Sequence, residues 1–214
     1  MIKPEPPPRI GIFGGTFDPP HNGHLALAIA AQQQLTLAKI LWVPTPDPPH
    51  KLNEPLTPIH HRWEMVARAL DDSQRAILSR IEMDRPGPHY AVDTVRLIKE
   101  SEPNNIVLIY LMGSDSLVNL PTWHLPKEFI HLIDYLAVLR RETTVIDLEM
   151  LEMTLPGITK KTKFVEIPLI KISSRDIRQR VAEGRPFEHM VPAAVATYIR
   201  EQHLYKQAQY HQKR

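Results

Sequence analysis

The feature that most constrains the fold is a strand, a glycine turn and a helix, followed at once by a second strand. Ile10 to Phe13 is a short apolar run that ends in Gly14-Gly15. The chain then passes a stiff Pro19-Pro20 step and enters Leu25 to Ala31, a stretch rich in helix formers. Lys39-Ile40-Leu41-Trp42-Val43-Pro44 follows as a buried strand stopped by proline. The first strand is read as Arg9 to Phe13 and the first helix as Asn22 to Leu35. A β-α-β unit this short requires parallel strands joined by a right-handed crossover.

The turn itself points to phosphate. Gly14 and Gly15 allow positive φ and a close approach of backbone to ligand. A helix start offers free N–H groups and the positive end of the dipole to an anion. His21 and His24 are three residues apart, so both imidazoles lie on one face at the helix entry. A single His near a helix start is most often a surface residue or a cap, and a Gly-Gly turn alone is common punctuation. Here the pieces occur in order at the end of the first strand.

Further along, residues 44–58 form a long proline-stiffened loop with a cationic His50-Lys51 pair, which on its own is an ordinary solvated basic tip. Ile59 to Leu70 reads as a helix with Trp63, Val66, Ala67 and Leu70 on its apolar stripe. Ala76 to Ile81 reads as a short strand, Pro86 to Tyr90 as a turn and Ala91 to Lys99 as a helix. Asn105 to Met112 is the strongest strand signal, a near-continuous apolar run suited to a central parallel strand. Gly113-Ser114-Asp115 at its end is either a helix cap or a ligand contact. The first and fourth strands both end in glycine and polar residues, which makes them two walls of one crevice. Asp134 to Leu139 and Lys163 to Ile167 complete the strands, and Val145 to Leu155 is weakly helical. Ser173 and Asp176 have capping-box spacing, which starts a helix running to about Ala182. Val191 to His203 is a last amphipathic helix.

Composition narrows the class. A chain of 214 residues suits one α/β domain with a small C-terminal extension. There is no cysteine, hence no disulfide and no thiolate metal site. The proline-rich residues 1–8 form no apolar leader, and the expected location is cytoplasmic. A net charge of +2 without a basic-aromatic patch gives no reason to expect nucleic acid, and no membrane partner is expected. Residues 1–8 are expected to be an extended arm, 9–205 the domain, with its helical C-terminal part at about 173–205, and 206–214 a tail.

Gly14-Gly15-Thr16-Phe17-Asp18-Pro19-Pro20-His21-Asn22-Gly23-His24 resembles the phosphate signature of the HxGH nucleotidyltransferase superfamily. Within it, the wording is similar to the nicotinate mononucleotide adenylyltransferase family. Pro48-Pro49-His50-Lys51, His89-Tyr90-Ala91-Val92-Asp93-Thr94, Gly113 with Asp115-Ser116-Leu117, Pro121-Thr122-Trp123, and Ile172-Ser173-Ser174-Arg175-Asp176-Ile177-Arg178 continue the resemblance over about residues 10–205. Ala91 stands where the family usually has threonine, and Arg175 where threonine often stands.

The resemblance implies a Rossmann-like, doubly wound parallel α/β sheet with a small C-terminal helical extension. It implies adenylyl transfer from ATP to nicotinate mononucleotide, giving deamido-NAD and pyrophosphate in NAD biosynthesis. The alternatives are the amide mononucleotide, another acceptor of the superfamily such as phosphopantetheine, or a nucleotide sensor without turnover. His21, His24 and Arg178 are the implied catalytic residues. Gly15, Thr16, Phe17, His21, His24, Gly113, Asp115, Ser173, Ser174 and Arg178 are expected to meet ATP. Gly14, Gly15, Lys51, Tyr90, Ala91, Thr94 and Trp123 are expected to meet the mononucleotide. Mg2+ is expected to arrive mainly on ATP phosphates, with no protein metal site. The oligomeric state is not readable.

Overall fold

The computed structural model describes residues 6–49, 55–70, 75–103, 105–140, 144–167 and 172–206. Lys51 of the expected acceptor loop and the 207–214 stretch lie outside them. Six strands form one wholly parallel sheet: β1 (Arg9–Gly15), β2 (Lys39–Pro44), β3 (Ala76–Leu78), β4 (Val107–Gly113), β5 (Tyr135–Leu139) and β6 (Thr162–Val165). Their order across the sheet is β3-β2-β1-β4-β5-β6. The order reverses between β1 and β4, so the crevice outside their carboxyl ends is where such a sheet binds ligands. Pro8 accepts a hydrogen bond from the N–H of Val107, so the end of the arm is tied to the sheet.

Period-two alternation sends each strand's side chains to opposite faces. Ile10, Ile12, Leu41, Val43, Leu108, Tyr110, Met112, Leu136 and Val138 pack on one face. The helices there are α3 (Ala91–Ser101), α4 (Ser114–Asn119), α5 (Pro126–Leu132), α6 (Leu148–Thr154) and α7 (Ile158–Lys161). Phe13, Ile40, Trp42, Ile109, Leu111 and Ala137 pack on the other face against α1 (Asn22–Gln34) and α2 (Ile59–Leu70). A third cluster joins Met65 of α2 to α8 (Ser174–Ala182) and α9 (Ala193–Glu201) through Ile177, Val195, Tyr198 and Ile199. Among the described residues no helix is long and apolar enough to cross a membrane.

The expected elements form, with shifts at their ends. The third strand stops at Leu78 rather than Ile81, because only Ala76 to Leu78 have partners on β2. The buried face of α2 is Arg62, Met65, Val66 and Leu70, whereas Trp63 and Ala67 are half-buried. Arg62, 1% exposed, holds the loops at the carboxyl edge of the sheet. Its Nε donates to the Thr57 carbonyl at 2.7 Å. Nη1 donates to Thr16 at 3.0 Å and Thr45 at 2.6 Å, and Nη2 to Pro46 at 2.6 Å. One guanidinium therefore ties the loop after β1 to the loop after β2.

Asp18 makes the second tie. Its Oδ2 accepts from the Thr57 N–H at 3.1 Å and its Oδ1 from the Tyr205 hydroxyl at 2.7 Å. Arg62→Met is expected to destabilise the protein by about 3–5 kcal/mol, the usual result of breaking a buried charged network. Urea unfolding checks this as a lower midpoint at unchanged slope. A loss under about 1 kcal/mol would show that the loops are held elsewhere.

Candidate active site

The two histidines are brought together by the helix entry. His21 is the N-cap of α1, and its ring stacks on that of His24 with centroids 3.6 Å apart and planes at 23°. The His21 N–H donates to His24 Nδ1 at 3.1 Å. With Nδ1 accepting, the neutral His24 ring carries its proton on Nε2, which makes that nitrogen a donor. Phe17 meets the His24 ring edge-on at 5.1 Å, and Phe13 lies 5.8 Å from it. Phe17 is 2% exposed, so its service to the site is to fix His24 from below.

The glycines act differently from the expectation. Neither Gly14 nor Gly15 has positive φ; that conformation falls on Phe17, at φ 48°. What excludes a side chain is crowding: a Cβ on Gly14 would lie 2.5 Å from the Tyr110 hydroxyl, and one on Gly15 2.9 Å from the Phe17 ring.

A cleft of about 1910 Å³ opens at the switch point between β1 and β4. That exceeds the range of a single small-ligand pocket, roughly 300–1,000 Å³, and leaves room for two substrates. Gly14, Gly15, Thr16, Phe17, His21, His24, Tyr90, Ala91, Gly113, Asp115, Trp123 and Ser173 all border it. At one end stand aromatic rings. Trp123 packs on Phe129 at 5.3 Å and on Tyr110 at 6.1 Å, while Tyr90 stacks on His124 at 4.0 Å and 24°. No side chain caps the N-terminus of α3, which begins at Ala91 beside these rings.

At the other end, Gly113 is the N-cap of α4, and Asp115 lies in its first turn rather than capping it. The Asp115 carboxylate accepts from the Thr144 hydroxyl. Arg140 lies 3.9 Å over the Phe164 ring on the same wall. Ser173 caps α8, accepting from the Asp176 N–H at 3.1 Å.

Three expected contact residues are not among those bordering the cleft, and two of them, Ser174 and Arg178, are half-buried. The Ser174 hydroxyl donates to the Pro19 carbonyl at 2.8 Å, and Arg178 Nη1 to the Asp18 carbonyl at 2.7 Å. Both residues thus brace the loop that leads to His21. Thr94 is 2% exposed and donates to Glu82 Oε1 at 2.5 Å. Burial is the largest influence on Glu82, pushing its carboxyl up from the ordinary range, with the hydroxyls of Thr94 and Thr45 opposing. Burial, and then the charge of Glu82, pushes the Tyr110 hydroxyl well above its usual value.

Asp18, Arg62, Glu82, Tyr110 and His124 carry much of this arrangement and were not singled out in the sequence. Only Arg62 left a clear signal, a charge on the stripe that also holds Met65 and Val66.

Comparison with known proteins agrees with this geometry. The cytidylyltransferase-like family model matches residues 12–180. A probable nicotinate-nucleotide adenylyltransferase of Thermomicrobium roseum is 42% identical over 198 residues, covering 92% of each chain. The nicotinate-nucleotide adenylyltransferase of Bacillus subtilis is 37% identical over 202 residues, 92% of this chain and 98% of its own. Among solved structures, a Plasmodium falciparum nicotinic acid mononucleotide adenylyltransferase complexed with NaAD superposes with a TM-score of 0.75 at 21% identity, over 92% of this chain and 97% of that one. That likeness is one of fold. With a parallel sheet wound both ways from a switch point, a histidine pair at the first helix entry, and relatives of this identity over nearly the whole length, the chain belongs to the nicotinate-nucleotide adenylyltransferase family.

Proposed function

We propose that this chain transfers the adenylyl group of ATP to the 5′-phosphate of nicotinate mononucleotide, releasing pyrophosphate and forming deamido-NAD. The observation that carries this reading is the stacked His21–His24 pair at a helix entry, in one cleft with an aromatic, uncapped helix end. The 5′-phosphate oxygen attacks the α-phosphorus of ATP in line, and the bond to the bridging oxygen of pyrophosphate breaks. No protein nucleophile takes part, so the residues act by position and charge.

His24 Nε2–H donates to a phosphate oxygen as charge builds there, with its ring orientation set by the His21 N–H and Phe17. The N-terminus of α1 adds its dipole. Arg178 has one arm on the Asp18 carbonyl and offers its remaining N–H groups to the β,γ end. ATP enters as its magnesium complex. Bound mainly through the ATP phosphates, the ion would keep phosphate and water ligands and neutralise charge.

The acceptor ring fits the other end. A planar pyridinium suits the indole of Trp123. A carboxylate on that ring accepts N–H bonds at the start of α3, where the dipole also favours it. Ala91 supplies no hydroxyl, so the backbone carries that contact. The names of the curated relatives and the NaAD complex of the Plasmodium protein support the same acceptor. The direct test is pyrophosphate release with ATP and either mononucleotide.

His24→Ala is expected to lower kcat about 100-fold or more with the fold intact, as loss of one transition-state donor does. Steady-state kinetics beside circular dichroism checks it, and near-normal turnover in a folded variant would sink the role given to His24. Arg178→Lys is expected to raise KM for ATP while leaving KM for the mononucleotide near its original value, since lysine lacks the planar fork. Unchanged ATP kinetics would reduce Arg178 to a brace for the loop. Nicotinate mononucleotide is expected to exceed the amide in kcat/KM by roughly 10- to 100-fold, because the amide sets donors against donors. A ratio at or below one refutes carboxylate reading by the helix start.

A further inference from the structure

Beneath the aromatic end lies a carboxyl that adenylyl transfer does not use. Glu82 is 4% exposed and borders the cleft. Its Oε1 accepts from the hydroxyl of Thr94, in the first turn of α3, at 2.5 Å. Among the described residues its Oε2, also buried, has no hydrogen bond of ordinary geometry. The groups facing it are Arg85 and His89 from its own turn, the Tyr110 hydroxyl from β4, and the hydroxyls of Thr94 and Thr45. Arg85 directs its guanidinium to the carbonyls of Pro88 and Tyr90 and to the Thr94 hydroxyl. Glu82 is thus a buried carboxyl at the edge of the cleft, one hydrogen bond from the helix whose N-terminus would meet the acceptor ring.

We propose that Glu82 determines acceptor specificity through its proton: a ring bearing a carboxylate binds at the start of α3 only while Glu82 is protonated, whereas a ring bearing a carboxamide binds with Glu82 in either state. The proposal rests on the acid-acceptor reading above. Two like charges close together in a poorly solvated site do not both stay ionised. By linkage, an anion bound there favours the protonated carboxyl, and an ionised carboxyl disfavours the anion to the same degree. Burial already raises this carboxyl from its usual range, against the opposing influence of Thr94, Thr45, Arg85 and His89. As pH rises, Glu82 of the free enzyme ionises, and binding the acid then requires proton uptake. Binding the amide does not.

The test measures kcat/KM for both mononucleotides from mildly acidic to mildly alkaline pH. The acid-to-amide ratio is expected to fall by at least about fivefold toward the alkaline end, the lower bound of ordinary coupling. In the ratio, titration of groups common to both reactions, the shared 5′-phosphate among them, cancels. Glu82→Gln keeps the shape without the charge, and its ratio should stay level across the range. A second measurement needs no variant: calorimetry of the wild type near the alkaline end, in buffers of differing ionisation enthalpy, should show proton uptake with the acid and none with the amide.

A level wild-type ratio, equal proton uptake for both ligands, or a ratio that still falls in Glu82→Gln overturns the proposal. So does a ratio levelled by His89→Asn and not by Glu82→Gln, which would put the proton on His89. An enzyme that releases no pyrophosphate with the acid at any pH overturns the acceptor reading, and this proposal with it.

Discussion

A cation with no water around it holds the site together. The Arg62 guanidinium is fully enclosed, and its desolvation is offset by the dipoles of four carbonyls and the nearby Asp18 carboxylate. The arrangement works only when the loop after β1 and the loop after β2 present their carbonyls at one point. A buried charge left short of partners costs several kcal/mol, so the guanidinium selects the loop geometry as strongly as the loops accommodate the guanidinium.

The sheet decides where these loops meet. Because neighbours of β1 lead away on both sides, to β2 and to β4, helices after β1 and β4 diverge to opposite faces and leave a gap at the strand ends. The stacked histidines come from one lip of that gap, and Asp115 and Trp123 from the other. A reaction that needs two substrates aligned, and no covalent help, is suited by such a rigid two-sided opening.

Much of this was legible in the sequence. The unbroken apolar runs of β2 and β4 announce a parallel sheet, and a histidine pair three residues apart at a helix entry announces a shared face. Local signals sufficed because each depends on neighbours in the chain. Gly14 and Gly15 were recognised for a freedom of φ that they do not use; their small size is demanded by Tyr110 and Phe17, and the contact with Tyr110 comes from a strand nearly a hundred residues away. Ser174, Arg178 and Thr94 stand in recognisable motifs, yet they bond to backbone carbonyls and a buried glutamate. Long-range partners leave no period in a sequence, so the bonds from Tyr205 to Asp18 and from Thr94 to Glu82 became visible only once the chain was folded.

The bond from Tyr205 to Asp18 spans 187 residues. During synthesis the sheet can assemble strand by strand as it leaves the ribosome, and β1 finds β2 early. Asp18 does not receive its tyrosine until the 187 residues that lead to it have been made. At about 5–20 residues per second, the loop that carries the histidines waits on the order of ten seconds or more for that anchor. A nascent chain therefore has its sheet in place well before the loop at the first helix entry is secured.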